Sequence, residues 1–257
     1  MKQKLNKLEK YWVMYDVGNS AFALLVSTII PIYFKNMATQ NGISAADSTA
    51  YLSYAISIST LIVAILGPVL GTVADGKNRK KPLFTLFMMV GVIGCAALAL
   101  PKSAMLFLVV FVITKVGFSG SLIFYDSMLV DVTTDERMDD VSSQGYAWGY
   151  IGSCVPFIAS LALIFGADYI GISGTMATAI AFVINALWWA VVTIPLLKNY
   201  KQNYYVETRT SGVTETVKRL GSVCGEIKNN KKVFLFLVAF FFYIDGVYTI
   251  IEMATSY

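Results

Sequence analysis

Gly71-Thr-Val-Ala-Asp75-Gly-Lys-Asn-Arg79-Lys80-Lys81 separates two apolar runs, Tyr51–Ala74 and Pro82–Leu100, and reading this stretch settles the fold class. Each run is long enough to cross hydrocarbon, which takes about 20 helical residues at ~1.5 Å apiece. So short a polar turn makes the two helices antiparallel neighbours. Its cationic cluster marks the cytoplasmic side.

The composition agrees. Apolar residues make up 56% of the 257 and charged residues 14%, with a mean hydropathy of +0.64. Soluble domains carry roughly 25% charge, so the expected class is an all-α polytopic membrane protein with the lipid bilayer as its solvent. The net charge of +4 is sorted by loop, not gathered on one face, so no nucleic-acid partner is expected. There is no histidine, and the three cysteines, Cys95, Cys154 and Cys224, make no disulfide framework. No phosphate-binding loop, nucleophile–base pair or metal-ligand cluster occurs. An enzyme, a cofactor and a metal site are therefore not expected.

Seven apolar runs can be drawn: Tyr11–Phe34, Tyr51–Ala74, Pro82–Leu100, Ala104–Val130, Ser143–Phe165, Gly174–Leu197 and Val233–Tyr257. Seventeen lysines and arginines fall on the side of the N-terminus and of the 71–81 turn; only Lys35 and Lys102 fall on the other. That asymmetry puts the N-terminus in the cytoplasm. Asp16 and Asn19 interrupt the first run, which reads as a retained helix and not a cleaved signal. Between Asn199 and Asn230 the chain is polar. Within it Val213, Val217, Leu220, Cys224 and Ile227 form one apolar stripe, the pattern of a helix lying on the membrane surface. Such a helix is a spacer or a latch. The seventh run reaches Tyr257 without a following loop, and a truncated chain is expected. The organisation is then a six-helix half over 1–198, a cytoplasmic connector over 199–232 and the first helix of a second half over 233–257.

Ionisable residues inside the runs are costly, ~2.5–3.5 kcal/mol at a helix centre, and usually face protein or water. Asp16, Lys115, Asp126, Asp245 and Glu252 are of this kind. Lys115 and Asp126 are eleven residues apart, on nearly one face and about 16 Å apart along the helix. They cannot pair directly, yet both can line one cavity. Asp126 is near the cytoplasmic end, so snorkelling to the interface competes with a cavity role. Lys115 is deeper and suits an anionic group of a substrate or a carboxylate from another helix. Asn19 shares a face with Asp16. For these groups the alternative is packing by interhelical hydrogen bonds. Gly145 and Gly149 form a G-x-x-x-G pair for close helix approach, and Trp12, Trp148, Trp188 and Trp189 read as belt or packing residues.

Several motifs carry a family resemblance. The loop matches the major facilitator pattern at Gly71, Asp75, Arg79 and Lys80, and departs from it at Gly76 and Asn78. Asn tolerates left-handed backbone where the pattern has Gly. Tyr15-Asp-Val-Gly-Asn-Ser20-Ala-Phe, Phe124-Tyr-Asp-Ser-Met-Leu-Val, Val141-Ser-Ser-Gln-Gly-Tyr-Ala-Trp-Gly-Tyr-Ile-Gly152 and Asp245-Gly-Val-Tyr-Thr-Ile-Ile are more specific. Together they resemble the vacuole-effluxer-like (unknown major facilitator) family of the major facilitator superfamily. The resemblance implies a six-helix N-terminal bundle, alternating access and a small-molecule substrate, an amino acid or similar metabolite, with protons as a coupling partner. It adds Tyr125 to the cavity candidates and implies a bacterial plasma-membrane permease. Because the superfamily's halves are parallel repeats, Asp16 and Asp245 would face each other across the site. Gly71, Asp75, Arg79 and Lys80 would form a cytoplasmic gate, with Arg79 and Lys80 reaching carboxylates of the opposite half; a purely topogenic loop is the alternative. A non-transporting membrane sensor or scaffold is the competing functional class.

Overall fold

A computed structural model describes residues 4–207, 221–222, 225 and 227–253. The helices are α1 (Lys7–Ser27), α2 (Ile29–Gln40), α3 (Ala45–Ala74), α4 (Lys80–Ala97), α5 (Ala104–Ser127), the short α6 (Leu129–Val132), α7 (Met138–Phe165), α8 (Gly174–Asn199) and α9 (Lys231–Met253). Among the described residues six segments are long and apolar enough to cross a membrane: 7–40, 45–74, 80–97, 104–127, 135–165 and 174–199. The seventh expected run forms α9, a helix of 23 residues. The stripe expected over 213–227 lies, apart from Ile227, outside the described residues, as does the side chain of Glu252.

Helix ends follow local chemistry. Asn6 and Glu9 form a capping box: Asn6 Oδ1 accepts from the Glu9 N–H at 2.8 Å and Glu9 Oε2 from the Asn6 N–H at 2.7 Å. Ser44 and Ser173 cap α3 and α8 in the same N3 geometry. The first expected span is broken at Thr28, between α1 and α2. Pro31 is the cause: it has no N–H for the Ser27 carbonyl, and its ring crowds that carbonyl. Asn78 takes φ 59°, so the α3–α4 turn closes through an asparagine in left-handed backbone.

Two glycine seams set the packing. Gly117 and Gly120 of α5 lie against α4; a Cβ on Gly117 would fall on the Gly91 amide and 2.9 Å from the Phe87 carbonyl oxygen. Gly145, Gly149 and Gly152 of α7 lie against Trp12, Asp16, Ser20 and Val17 of α1. In lipid there is no hydrophobic drive between helices, and close approach of small residues supplies the dispersion contact instead. Polar side chains bond across the bundle as well: Asn185 Nδ2 donates to Ser160 Oγ at 2.8 Å and Trp188 Nε1 to the Val17 carbonyl at 3.1 Å. The outer faces are apolar and exposed, as at Ile58, Leu61 and Ile65 of α3, which suits contact with lipid.

Substituting Gly117 by Val should therefore force α4 and α5 apart and cost at least the ~1–3 kcal/mol of overpacking. Thermal unfolding of the full-length protein in detergent checks this, with Gly174→Ala, where a Cβ meets nothing within 4 Å, expected to be neutral.

Candidate functional site

α1, α5 and α7 enclose a cavity of about 370 Å³ that brings together Asp16, Asn19, Lys115, Tyr125 and Asp126. The seams explain why. On α5 the glycines that touch α4 lie opposite the face carrying Lys115, Phe118, Leu122 and Asp126, so drawing α5 onto α4 turns that face inward. On α7 the glycine edge rests on α1 while the neighbouring Ser142, Tyr146 and Tyr150 line the opening. Glycine also makes room for the acid itself: a Cβ on Gly145 would stand 3.3 Å from Asp16 Oδ2, and one on Gly149 3.3 Å from its Cγ.

Around Asp16 the walls are polar and aromatic. Asn19 Nδ2 donates to Asp16 Oδ1 across 3.4 Å, a long bond. Trp12 stacks on Tyr125 with centroids 4.3 Å apart and planes 11° apart, and its Nε1 donates to the Tyr125 carbonyl at 3.1 Å. Tyr15 and Ser121 hydroxyls are 2.6 Å apart. Ser121 Oγ donates to the Phe118 carbonyl at 2.6 Å, so its single proton is taken and Tyr15 is the donor to it. The Tyr125 hydroxyl is buried with no hydrogen-bond partner among the described residues, beside the cavity. A buried hydroxyl of that kind carries a desolvation cost of about 1–3 kcal/mol until something bonds to it. Lys115 is buried, at 4% exposure, whereas Asp126 is exposed at the opening. Among the described residues no cluster is fit to hold a metal.

Asp245, exposed on α9, is not among the described residues that line this cavity.

Asp75 and Arg79 are exposed, and a Cβ on Gly71 would meet nothing within 4 Å. Lys80 is buried within this bundle, with Nζ 2.9 Å from Asp131 Oδ2 and 2.9 Å from the Ser127 carbonyl oxygen. Asp131 is the hub, and the acidic run of the sequence hid it. Its Oδ2 also accepts from the Tyr200 hydroxyl at 2.6 Å, and its Oδ1 from the Asn203 and Tyr204 amides at 2.8 Å each. Val206 N then donates to the Asp75 carbonyl at 2.8 Å, so residues 200–206 are strapped over the lysine-rich end of the bundle. A second pair, buried Glu9 with half-buried Arg137 at 2.8 Å, ties the start of α1 to the turn before α7.

Burial pushes the Asp131 carboxyl up, but the bonds from Tyr200, Tyr204, Lys80 and Asn203 outweigh it and hold it below the ordinary carboxylate value. The folded state therefore binds this proton more weakly than the unfolded chain, and stability from the strap is complete above the unfolded value of ~3.9. It is lost as pH falls through the lower folded value. Asp131→Asn should cost about 3–5 kcal/mol by leaving Lys80 buried and unpaired. Thermal unfolding against pH should show that cost undiminished from pH 5 to pH 7 and shrinking only in stronger acid.

Comparison with known proteins agrees with this architecture. The family description "Vacuole effluxer Atg22 like" matches residues 6–135 and 130–257. The chain is 46% identical to "Uncharacterized MFS-type transporter YxiO" of Bacillus subtilis (strain 168) over 262 residues. That match takes in 100% of this chain and 61% of the relative, so the chain spans about three fifths of the relative's length. By the match along its whole length, this chain belongs to the family of Atg22-like vacuole effluxers.

Proposed function

We propose that the protein is a secondary transporter of a small solute, with residues 1–198 as its N-terminal half, 199–232 as a cytoplasmic connector and α9 as the first helix of a second half. The single observation that carries this reading is the chamber itself. Lys115, Asp16 and Asp126 line one cavity between helices long and apolar enough to cross a membrane, where ionisable groups are expensive and belong to solute or ion paths. The relative's name, an MFS-type transporter, and family membership point the same way. The cavity, about 370 Å³, falls at the small end of the ~300–1,000 Å³ of ligand sites, which suits an amino acid or similar metabolite. Lys115 receives the solute's anionic group, Asp16 and Asn19 its cationic end, and the Tyr125 hydroxyl an acceptor on the same solute. Asp16 and Asp126 carry the coupled proton. Two bundles rock about this site, and the 71–81 loop with its strap closes the cytoplasmic side of a plasma-membrane permease.

Uptake of a panel of radiolabelled amino acids into proteoliposomes holding the full-length protein tests the reading. Lys115→Met should lower uptake by at least tenfold, a loss equivalent to ~1.4 kcal/mol of solute interaction. Asp16→Asn with Asp126→Asn should abolish the acceleration given by an imposed proton gradient while leaving passive exchange. Gradient-driven uptake equal to that of the parent protein in both variants would remove these residues from the transport path.

A further inference from the structure

On the side of α1 away from the solute chamber lies a second concavity, a groove of about 490 Å³ between the start of α1 and α7. Val13, Met14, Val17 and Trp148 form its apolar walls, and Lys4 and Lys10 stand at its lysine-rich end. Among the described residues no acidic side chain lines it. Of the acids nearest in sequence, Glu9 pairs with Arg137, and Asp140, one turn before Gln144 on α7, accepts from Gln144 Nε2 at 3.1 Å and stands within electrostatic reach of Arg137. Neither Lys4 nor Lys10 has a carboxylate partner among the described residues.

The groove is held in shape. Arg137 Nη2 donates to the Lys4 carbonyl at 3.3 Å, and the capping box fixes Asn6 and Glu9, so the chain bearing Lys4 is tied down before α1 begins. Its orientation follows from helical geometry. Gln144 and Trp148 are on the face of α7 opposite to Ser142, Tyr146 and Tyr150, which line the solute chamber. On the transporter reading proposed above, a second half closing over the chamber leaves this face turned outward. From Trp148, 52% exposed, an apolar stripe continues through Ile151 and Val155 towards the middle of the span. A hydrocarbon chain finds a continuous path there.

From this arrangement we infer a binding site for one anionic phospholipid, phosphatidylglycerol in chemistry. Its phosphate sits between Lys4 and Lys10, and its acyl chains run along Val13, Val17 and Trp148. The match is one of charge as well as shape: two ammonium groups without an ion-pair partner among the described residues lead into an apolar channel. Lysines in such a place snorkel, with their stems on the apolar wall and their charges at the headgroup level. Each basic residue near the surface strengthens attraction to an anionic lipid by about fivefold. The site is separate from the solute chamber, and its occupancy does not depend on transport.

Native mass spectrometry of the full-length protein, with equal phosphatidylglycerol and phosphatidylcholine supplied in mild detergent, tests the site. The parent protein should retain phosphatidylglycerol preferentially. Lys4→Gln with Lys10→Gln should lower that retention by about 25-fold and leave phosphatidylcholine unchanged. Lys198→Gln with Lys201→Gln removes the same charge from the same end outside the groove and should change neither. Val13→Trp, which fills the groove, should reduce retention of both lipids. Equal retention of the two lipids by the parent protein would overturn the proposal. So would an equal loss in the Lys198/Lys201 pair, or a lipid-free dimer that the Lys4/Lys10 pair dissociates.

Discussion

Every ionisable group in this bundle must be enclosed by protein or reached by water, because hydrocarbon solvates neither charge nor unpaired polar atoms. The structure meets that constraint through close helix approach. Glycines along α5 and α7 bring α5 against α4, and α7 against α1, near enough to wall off Asp16, Lys115 and Tyr125. Larger residues on those seams would separate the helices and open the polar interior to lipid. The same glycines that look like packing devices are thus what permits a polar chamber to exist.

At the lysine-rich end the constraint is met differently. There the chain can use water, yet it buries Lys80 against Asp131 and covers both with residues 200–206. A buried ion pair is weak evidence for stability by itself, since desolvation offsets much of the attraction. What distinguishes this one is completeness: Asp131 accepts from Lys80, Tyr200, Asn203 and Tyr204, which satisfies both its oxygens. Such a hub specifies one placement of residues 200–204 relative to α4 and α6.

Much of this was legible from the residues alone. Apolar run length and lysine sorting gave the helices, and Asp16, Lys115 and Asp126 stood out because charge is rare at such depth. The turn was readable too, since Asn78 occupies the left-handed position that its chemistry tolerates. The break at Thr28 was announced by Pro31, but an apolar run drawn by hydropathy passes straight through it. Asn6-x-x-Glu9 is a capping-box signature and was available to be read. Asp131 was not: its partners lie 51 to 73 positions away in sequence, and an acidic run in a loop reads as solvated charge. The same distance hid the stacking of Trp12 on Tyr125, whose members are 113 positions apart. Asp245 was expected at the chamber by analogy between repeats; it lies on α9, outside the described residues that line the cavity.

Water inside the chamber can be read by thiol chemistry in the full-length protein after Cys95, Cys154 and Cys224 are replaced. Single cysteines at Ser20, Leu122 and Ser142, which line the chamber, should react with a charged, membrane-impermeant maleimide. A cysteine at Val109, on the exposed apolar face of α5, should not. Rates at the three chamber positions no faster than at Val109 would mean that Asp16, Lys115 and Asp126 are packed in a dry interior, and a solute path through them would be contradicted.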